Sequence, residues 1–268
     1  MSAPMPRPLA PLAPLACALA LVMGGSFFVA GTAAHAGDDA AASSSGGAKP
    51  VAVVELFTSQ GCSSCPPADR LLGELAQRPG VIALTLAVDY WDYLGWKDTL
   101  AKHGHSMRQK SYARARGDGK LFTPQLIVNG SVMTVGNDPE AISRALARTA
   151  PLTVPVAASV EGDRVSVKVG AGLGAGEVWL CPVSRSEAVQ IGRGENEGTT
   201  VDYHNVVRGW MKLGDWNGTP ATFDAGLAEL RGGADAVAVL VQAGTAVMPG
   251  PVLGATMAPL HPSSTSPH

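Results

Sequence analysis

Charge is scarce in this chain, and nowhere is it gathered. Only 16% of the 268 residues are Asp, Glu, Lys or Arg, and the net charge is −2. No basic block exists, which argues against a nucleic-acid partner and against a polybasic membrane patch. No internal repeat is visible. Cysteine is rare as well, at four residues: Cys17, Cys62, Cys65 and Cys181. What the chain does have is apolar residues, 46% of the total. That content and length suit a folded protein of one large or two small domains with a real core.

Arg7 is the only charge in the first 36 residues. The apolar stretch "LACALALVMGGSFFVAG" (15–31) runs toward a small-x-small site, "AHA" (34–36). Residues 1–36 therefore read as an export signal, followed by a flexible lead-in over 37–49. The alternative is an uncleaved membrane anchor, since the apolar part approaches spanning length. The small-residue end favours cleavage, with no stable membrane insertion afterwards. Cys17 has almost no apolar run before it and does not read as a lipidated cysteine. An exported chain, periplasmic or secreted, carries Cys62, Cys65 and Cys181 into an oxidising compartment.

Residues 50–149 alternate strand and helix. "VAVVELF" (51–57) and "VIALTLAVD" (81–89) read as buried strands, with a helix over 62–77 between them. A polar helix over 96–116 follows. "LFTPQLIVNG" is a strand ending in an Asn-Gly turn, and "SVMTVG" is its hairpin partner. Asp138 and Pro139 open a last helix over 138–149. From 150 to 260 short, regularly spaced runs with Gly-rich turns suggest a small antiparallel sandwich. The tail 261–268 reads as disordered.

"FTSQGCSSCPPADR" (57–70) places Cys62 and Cys65 three apart between a strand and a helix. At a helix start, unpaired N–H groups and the dipole would favour a thiolate on Cys62. Cys65, one turn later, can close a disulfide with it. Pro66 and Pro67 fit a first turn, where a missing N–H costs little. Far along the chain, Thr123 and Pro124 open an apolar strand, a step suited to a cis peptide bond.

With these pieces together, "VELFTSQGCSSCPPAD…VDYWDYLGWKD…LFTPQLIVNG" resembles a thioredoxin-like domain over 50–149. It also resembles an exported bacterial thioredoxin-like family of unassigned function, to which the later "GRGENEG" and "NVVR" are similar. The resemblance implies an α/β thioredoxin-like domain followed by a small β-rich, sandwich-like domain. It implies that Pro124 packs beside the dithiol, with the backbone at Thr123 left free to pair with a bound chain. Departures from thioredoxin are Gly61 in place of a tryptophan and Ser63-Ser64 between the cysteines. Glu55, seven residues before Cys62, matches the buried acid with a loop one residue longer.

Several readings of the pair follow. A structural disulfide would close a very short loop, for little entropic gain. Redox activity on a thiol- or disulfide-bearing protein or small thiol is the leading reading: Cys62 attacks, Cys65 resolves, Pro124 orients the partner, and no cofactor is needed. Glu55 either shuttles the Cys65 proton from a buried position or caps the sheet edge in water. A copper carrier drawing on His103, His105 or His204 is an alternative, and so is a non-catalytic binding module. The loop from Asp89 to Trp96 either receives a substrate peptide or covers the dithiol. Cys181 reads as a buried, inert thiol. The polar run 192–198, with Tyr203, His204, Asn205 and Arg208, is either a hairpin loop or a surface facing the first part of the chain.

Overall fold

The computed structural model describes residues 51–230 and 232–260. The segments read as export signal (1–36), lead-in (37–49) and tail (261–268) lie outside the described residues. Among those described, no helix is long and apolar enough to cross a membrane.

Strands β1 (Ala52–Thr58) and β2 (Val81–Ala87) run parallel in continuous register, joined by helix α1 (Pro66–Ala76). Helix α2 (His103–Arg116) leads to β3 (Gln125–Val128), antiparallel to β1. β4 (Val132–Val135) folds back on β3. Asn129 and Gly130 between them both take positive φ, a backbone that Asn and Gly tolerate best. Helix α3 (Pro139–Arg148) begins where the Asp138 carboxylate accepts the Ala141 N–H at 2.9 Å. Then come β5 (Val156–Glu161), β6 (Arg164–Val169), β7 (Gly176–Gln190), β8 (Thr200–Val207) and β9 (Met211–Trp216). β10 (Ala221–Gly226), β11 (Ala236–Thr245) and β12 (Met248–Pro259) complete the described chain.

The expected fold class, an α/β thioredoxin-like domain followed by a small β-rich sandwich, is overturned. The protein is mostly β, and one mixed sheet of nine strands runs through both parts of the chain. Its order is β12-β11-β7-β8-β2-β1-β3-β4, with β9 on β7. The joint lies at β2, where Val206 of β8 sits opposite Thr85. The Thr85 hydroxyl donates to the His204 carbonyl at 2.7 Å, and Asn205 Nδ2 donates to the Ala83 carbonyl at 2.9 Å. Among the described residues, β10-β6-β5 form a separate, three-stranded sheet.

The reason lies in burial pattern. β5 alternates half-buried and exposed residues, as a one-sided strand should. β11 reads Ala-Val-Ala-Val-Leu-Val-Gln, and all seven of those residues are buried. An unbroken apolar run needs cover on both faces, so β11 takes a central place between β12 and β7 instead of a place in a small sandwich. One of its faces packs with Val165, Val167 and Val169 of the small sheet. The other joins Phe57, Leu84 and Tyr112 in the core shared with the first half.

β1 is buried on both faces, and its side chains sort by parity. Val53 and Phe57 point to the layer that holds Tyr112 of α2. Val54 and Leu56 point to the layer that holds Ala68, Leu72 and Leu75 of α1 and Ile142 of α3. This division decides which polar side chains can reach the cysteines.

Candidate functional site

Cys62 and Cys65 are joined in a disulfide, with their Cα atoms 5.4 Å apart. Cys65 is the N-cap of α1 and Pro66 and Pro67 fill its first two positions. Cys62 thus stands three residues before the cap, not at the helix start where the sequence placed it. The donors expected to face it are absent or used. The two prolines carry no N–H. The N–H groups of Ala68 and Asp69 both go to the Cys65 carbonyl, at 2.8 and 3.1 Å. Both cysteines are buried. Cys62 is 3% exposed and Cys65 is 0% exposed, while Ser63 and Ser64 between them face solvent. The Ser64 hydroxyl lies 3.4 Å from Cys62 Sγ.

A collar of polar side chains holds this loop from behind. Asn196 is buried, and its Nδ2 donates to the carbonyls of Gln60 (2.8 Å) and Cys62 (2.9 Å). Its neighbour Glu195 accepts the Ser63 N–H at 3.3 Å. The run 192–198 is therefore both things the sequence allowed: the tip of the β7–β8 hairpin and a surface against the first part of the chain. The loop after β2 supplies the rest. Asp98 accepts the Gln60 N–H at 2.8 Å, and Gln60 Oε1 accepts the Trp96 indole N–H at 2.7 Å. Trp91 packs against Gly61, where an added Cβ would lie 3.1 Å from the Trp91 Cβ. This is a physical ground for glycine there. The Trp91 indole donates to the Thr123 hydroxyl at 2.8 Å, and the Thr123–Pro124 bond is cis. The loop 89–96 thus covers the CxxC segment on the Trp91 and Trp96 side, while Tyr93 stays exposed.

Two buried acids flank β1. Glu55 lies on the α2 side. The Arg108 guanidinium donates to both its oxygens, at 2.6 and 3.1 Å, and the Tyr112 hydroxyl donates at 2.5 Å. Gln242 ties the same cluster to β11 through Arg108 and Tyr112. Glu55 therefore does not cap an edge in water; it is the anion of a buried ion pair across the sheet from α1, on the face away from where a shuttle for the Cys65 proton is expected. The acid on the cysteine side is Asp69, in the first turn of α1 and 2% exposed. Neither of its oxygens has a hydrogen-bond partner, nor has the Thr58 hydroxyl that faces it. Burial raises its pKa from 3.8 to about 8; the Thr58 hydroxyl pulls downward and the Asp98 carboxylate pushes up. Burial also raises Asp98, against the pull of the N–H groups of Gln60, Leu100 and Ala101.

The remaining candidates lie apart from one another. His103 is exposed and bonds Asp89 through Nδ1 at 2.9 Å. His105 is fully buried, donates Nδ1–H to the Ala87 carbonyl, and is held neutral by burial, with a pKa near 4. His204 packs over Gly73 of α1, where an added Cβ would sit 2.5 Å from its ring. Among the described residues no group of three His, Cys, Asp or Glu is arranged to hold a metal ion. Cys181 is fully buried in β7, and burial drives its thiol well above its usual range. Two open cavities, of about 200 and 360 Å³, are lined by Tyr112, Arg116 and Met133 and by Arg208, Trp210 and Glu229, none of them in the collar.

Sequence reasoning missed Asn196, Gln60, Asp98 and Asp69. Asn196 reaches Cys62 across 134 positions, a pairing that no local pattern marks. Asp69 did carry a signal. It stands four residues after Cys65 on a helix whose leucines at 71, 72 and 75 mark the buried side.

The comparisons agree with this description. A family model described as "Protein of unknown function (DUF1223)" matches residues 53–242. A crystal structure of an Agrobacterium tumefaciens protein, a structural-genomics target, is 34% identical with a TM-score of 0.72, and the match covers 82% of this chain and 99% of that one. HBP35 of Porphyromonas gingivalis shares the fold at 12% identity and a TM-score of 0.54, over 83% of this chain and 80% of that one. No curated protein matches the sequence. The chain belongs to the DUF1223 family.

Proposed function

We propose that this member of the DUF1223 family is an exported protein that carries out thiol–disulfide exchange through Cys62 and Cys65. The observation that carries the reading is the asymmetry of the pair. The backbone of the CxxC loop is anchored from behind by Asn196 and Asp98, whereas Ser63 and Ser64 between the cysteines face solvent and Cys62 keeps 3% exposure against 0% for Cys65. A partner thiolate arriving there attacks Cys62 Sγ, and Cys65 Sγ is the leaving group. The mixed disulfide on Cys62 is then resolved by the partner's second thiol, leaving the pair reduced. Run backwards, the reduced pair opens a partner disulfide through Cys62, and Cys65 resolves it. A protein or small-molecule thiol fits this scheme, and no cofactor enters it. The apolar segment and the "AHA" site near the N-terminus support export, which would give the disulfide an oxidising surrounding.

The test is a redox titration of the folded protein in glutathione buffers, read by mass-tagging of free thiols. A midpoint within the range of known exchange proteins, roughly −120 to −270 mV, supports the reading. A midpoint below about −300 mV would mark a structural bond and sink it. In parallel, Cys65→Ser should accumulate mixed disulfides through Cys62, and Cys62→Ser should accumulate few.

A further inference from the structure

Exchange at this pair creates a charge where charge is costly. When Cys62 is attacked, the electron pair of the broken bond moves to Cys65 Sγ, which has no exposure to water. A bare thiolate there is penalised by desolvation. A proton donor beside it would remove that cost.

We infer, on the strength of the exchange reading, that Asp69 is the proton donor and acceptor for Cys65. Cys65 is in helical conformation, with φ −82° and ψ −37°, so the two residues stand in a helical i, i+4 relation. That relation puts their Cβ atoms about 5–6 Å apart on one stripe of the helix. A first-turn aspartate ordinarily accepts helix N–H groups, yet neither oxygen of Asp69 accepts any bond, and the N–H groups of that turn go to the Cys65 carbonyl. Nor does a cation neutralise it. Among the described residues no ion pair involves Asp69, and the groups that face it are Thr58 of β1, Asp98 of the loop after β2 and Tyr203 of β8, with Arg70 alone on its own helix. His204 packs on the same helix one turn further on, at Gly73. A buried carboxyl without partners rests as the neutral acid near pH 7, in line with its raised pKa of about 8.

The steps balance as follows. A partner thiolate bonds to Cys62 Sγ, the Sγ–Sγ bond breaks, and the Asp69 proton moves to Cys65 Sγ. The partner's second thiolate then attacks its own sulfur in the mixed disulfide, and Cys62 leaves as a thiolate that solvent protonates. The partner dithiol ends oxidised, the Cys62–Cys65 pair ends reduced, and Asp69 regains a proton from solvent. In the reverse direction the Asp69 carboxylate takes the Cys65 proton as Cys65 attacks.

The experiment measures the rate at which dithiothreitol reduces the folded oxidised protein from pH 6 to 10, corrected for the fraction of probe present as thiolate. The wild type should show a fall in the corrected rate above pH 8, as Asp69 loses its proton. Asp69→Asn should lack that inflection and react about 100-fold more slowly at pH 7, and Asp69→Glu should recover part of the loss. An unchanged rate and pH profile in Asp69→Asn would overturn the inference and leave the exchange reading standing. A wild type that dithiothreitol cannot reduce while folded would overturn both. If Asp69→Asn does not fold, infrared difference spectra of the wild type decide: reduction should perturb a protonated carboxyl band near neutral pH, and no such change counts against Asp69.

Discussion

Glu55 and Asp69 are both carboxylic acids with almost no exposure, and both belong to the segment around the cysteines, yet β1 parts them. On the α2 side, Glu55 sits in a network in which each oxygen has a donor, the donors bond one another, and Arg108 also stacks on Trp210 at 3.9 Å. On the α1 side, Asp69 has no cation, neither of its oxygens is in a hydrogen bond, and of the neutral groups only the Thr58 hydroxyl pulls its pKa down. A buried charge that is fully paired rigidifies the place it occupies. A buried acid left alone stays neutral and holds a movable proton. The first arrangement holds the fold together, and the second is the feature on which the proposed proton transfer rests. The comparison also corrects the simplest inference from the sequence, that the acid on the strand leading into the cysteines lies on the α1 side with them.

The largest effect should come from breaking the satisfied side. Arg108→Leu leaves the Glu55 carboxylate buried without its cation and should cost about 3–5 kcal/mol in denaturant unfolding. The double change Glu55→Gln with Arg108→Met should recover much of that loss, and a single Arg108→Leu that unfolds like the wild type would show the network is not what holds the α2 side together.

Next in size is the collar. Asn196→Ala leaves the Gln60 carbonyl buried without its donor and the Cys62 carbonyl with only the Cys65 N–H, at a cost of about 1–3 kcal/mol. Hydrogen exchange should quicken in the CxxC loop while β11, remote from the collar, stays protected. Uniform loss of protection would mean that the hairpin tip is simply part of the global fold.

A smaller effect, spread over pH, separates the two acids directly. Between 3.8 and about 8 the folded protein keeps a proton on Asp69 that the unfolded chain has released. Stability should therefore fall as pH rises through that window, by up to about 1.4 kcal/mol per unit, and Asp69→Asn should flatten the slope. His105 acts at the other end. Its folded pKa near 4 lies below the ordinary 6.5, so stability is lost as pH drops through that interval, in the variant as in the wild type. A slope above pH 6.5 that is the same in Asp69→Asn would place the pH response elsewhere. The smallest change should be His103→Ala. It removes an exposed pair with Asp89 and should move stability by no more than about 0.5 kcal/mol, with no effect on exchange at the dithiol.

Much of the local structure was legible in the sequence because its causes are local. The apolar runs at 51–57 and 81–89 mark β1 and β2, the proline pair and leucine spacing mark α1, Asn129-Gly130 marks a turn, and Asp138-Pro139 caps a helix. The cysteine pair is equally plain. Composition and spacing alone therefore determined a folded, weakly charged chain with a CxxC loop between a strand and a helix. Tertiary structure decided the rest. That β8 would join β2 depends on edges meeting across more than a hundred residues, and alternation within a strand cannot say which edge it seeks. That Glu55 would face α2 depends on the parity of β1 and on which helix covers each face, and Asp69 lies on the other side because α1 carries it. A shift of one residue in β1 would carry Glu55 to the α1 side. Periodicity reports that a side chain is buried, but only the packed sheet determines against what.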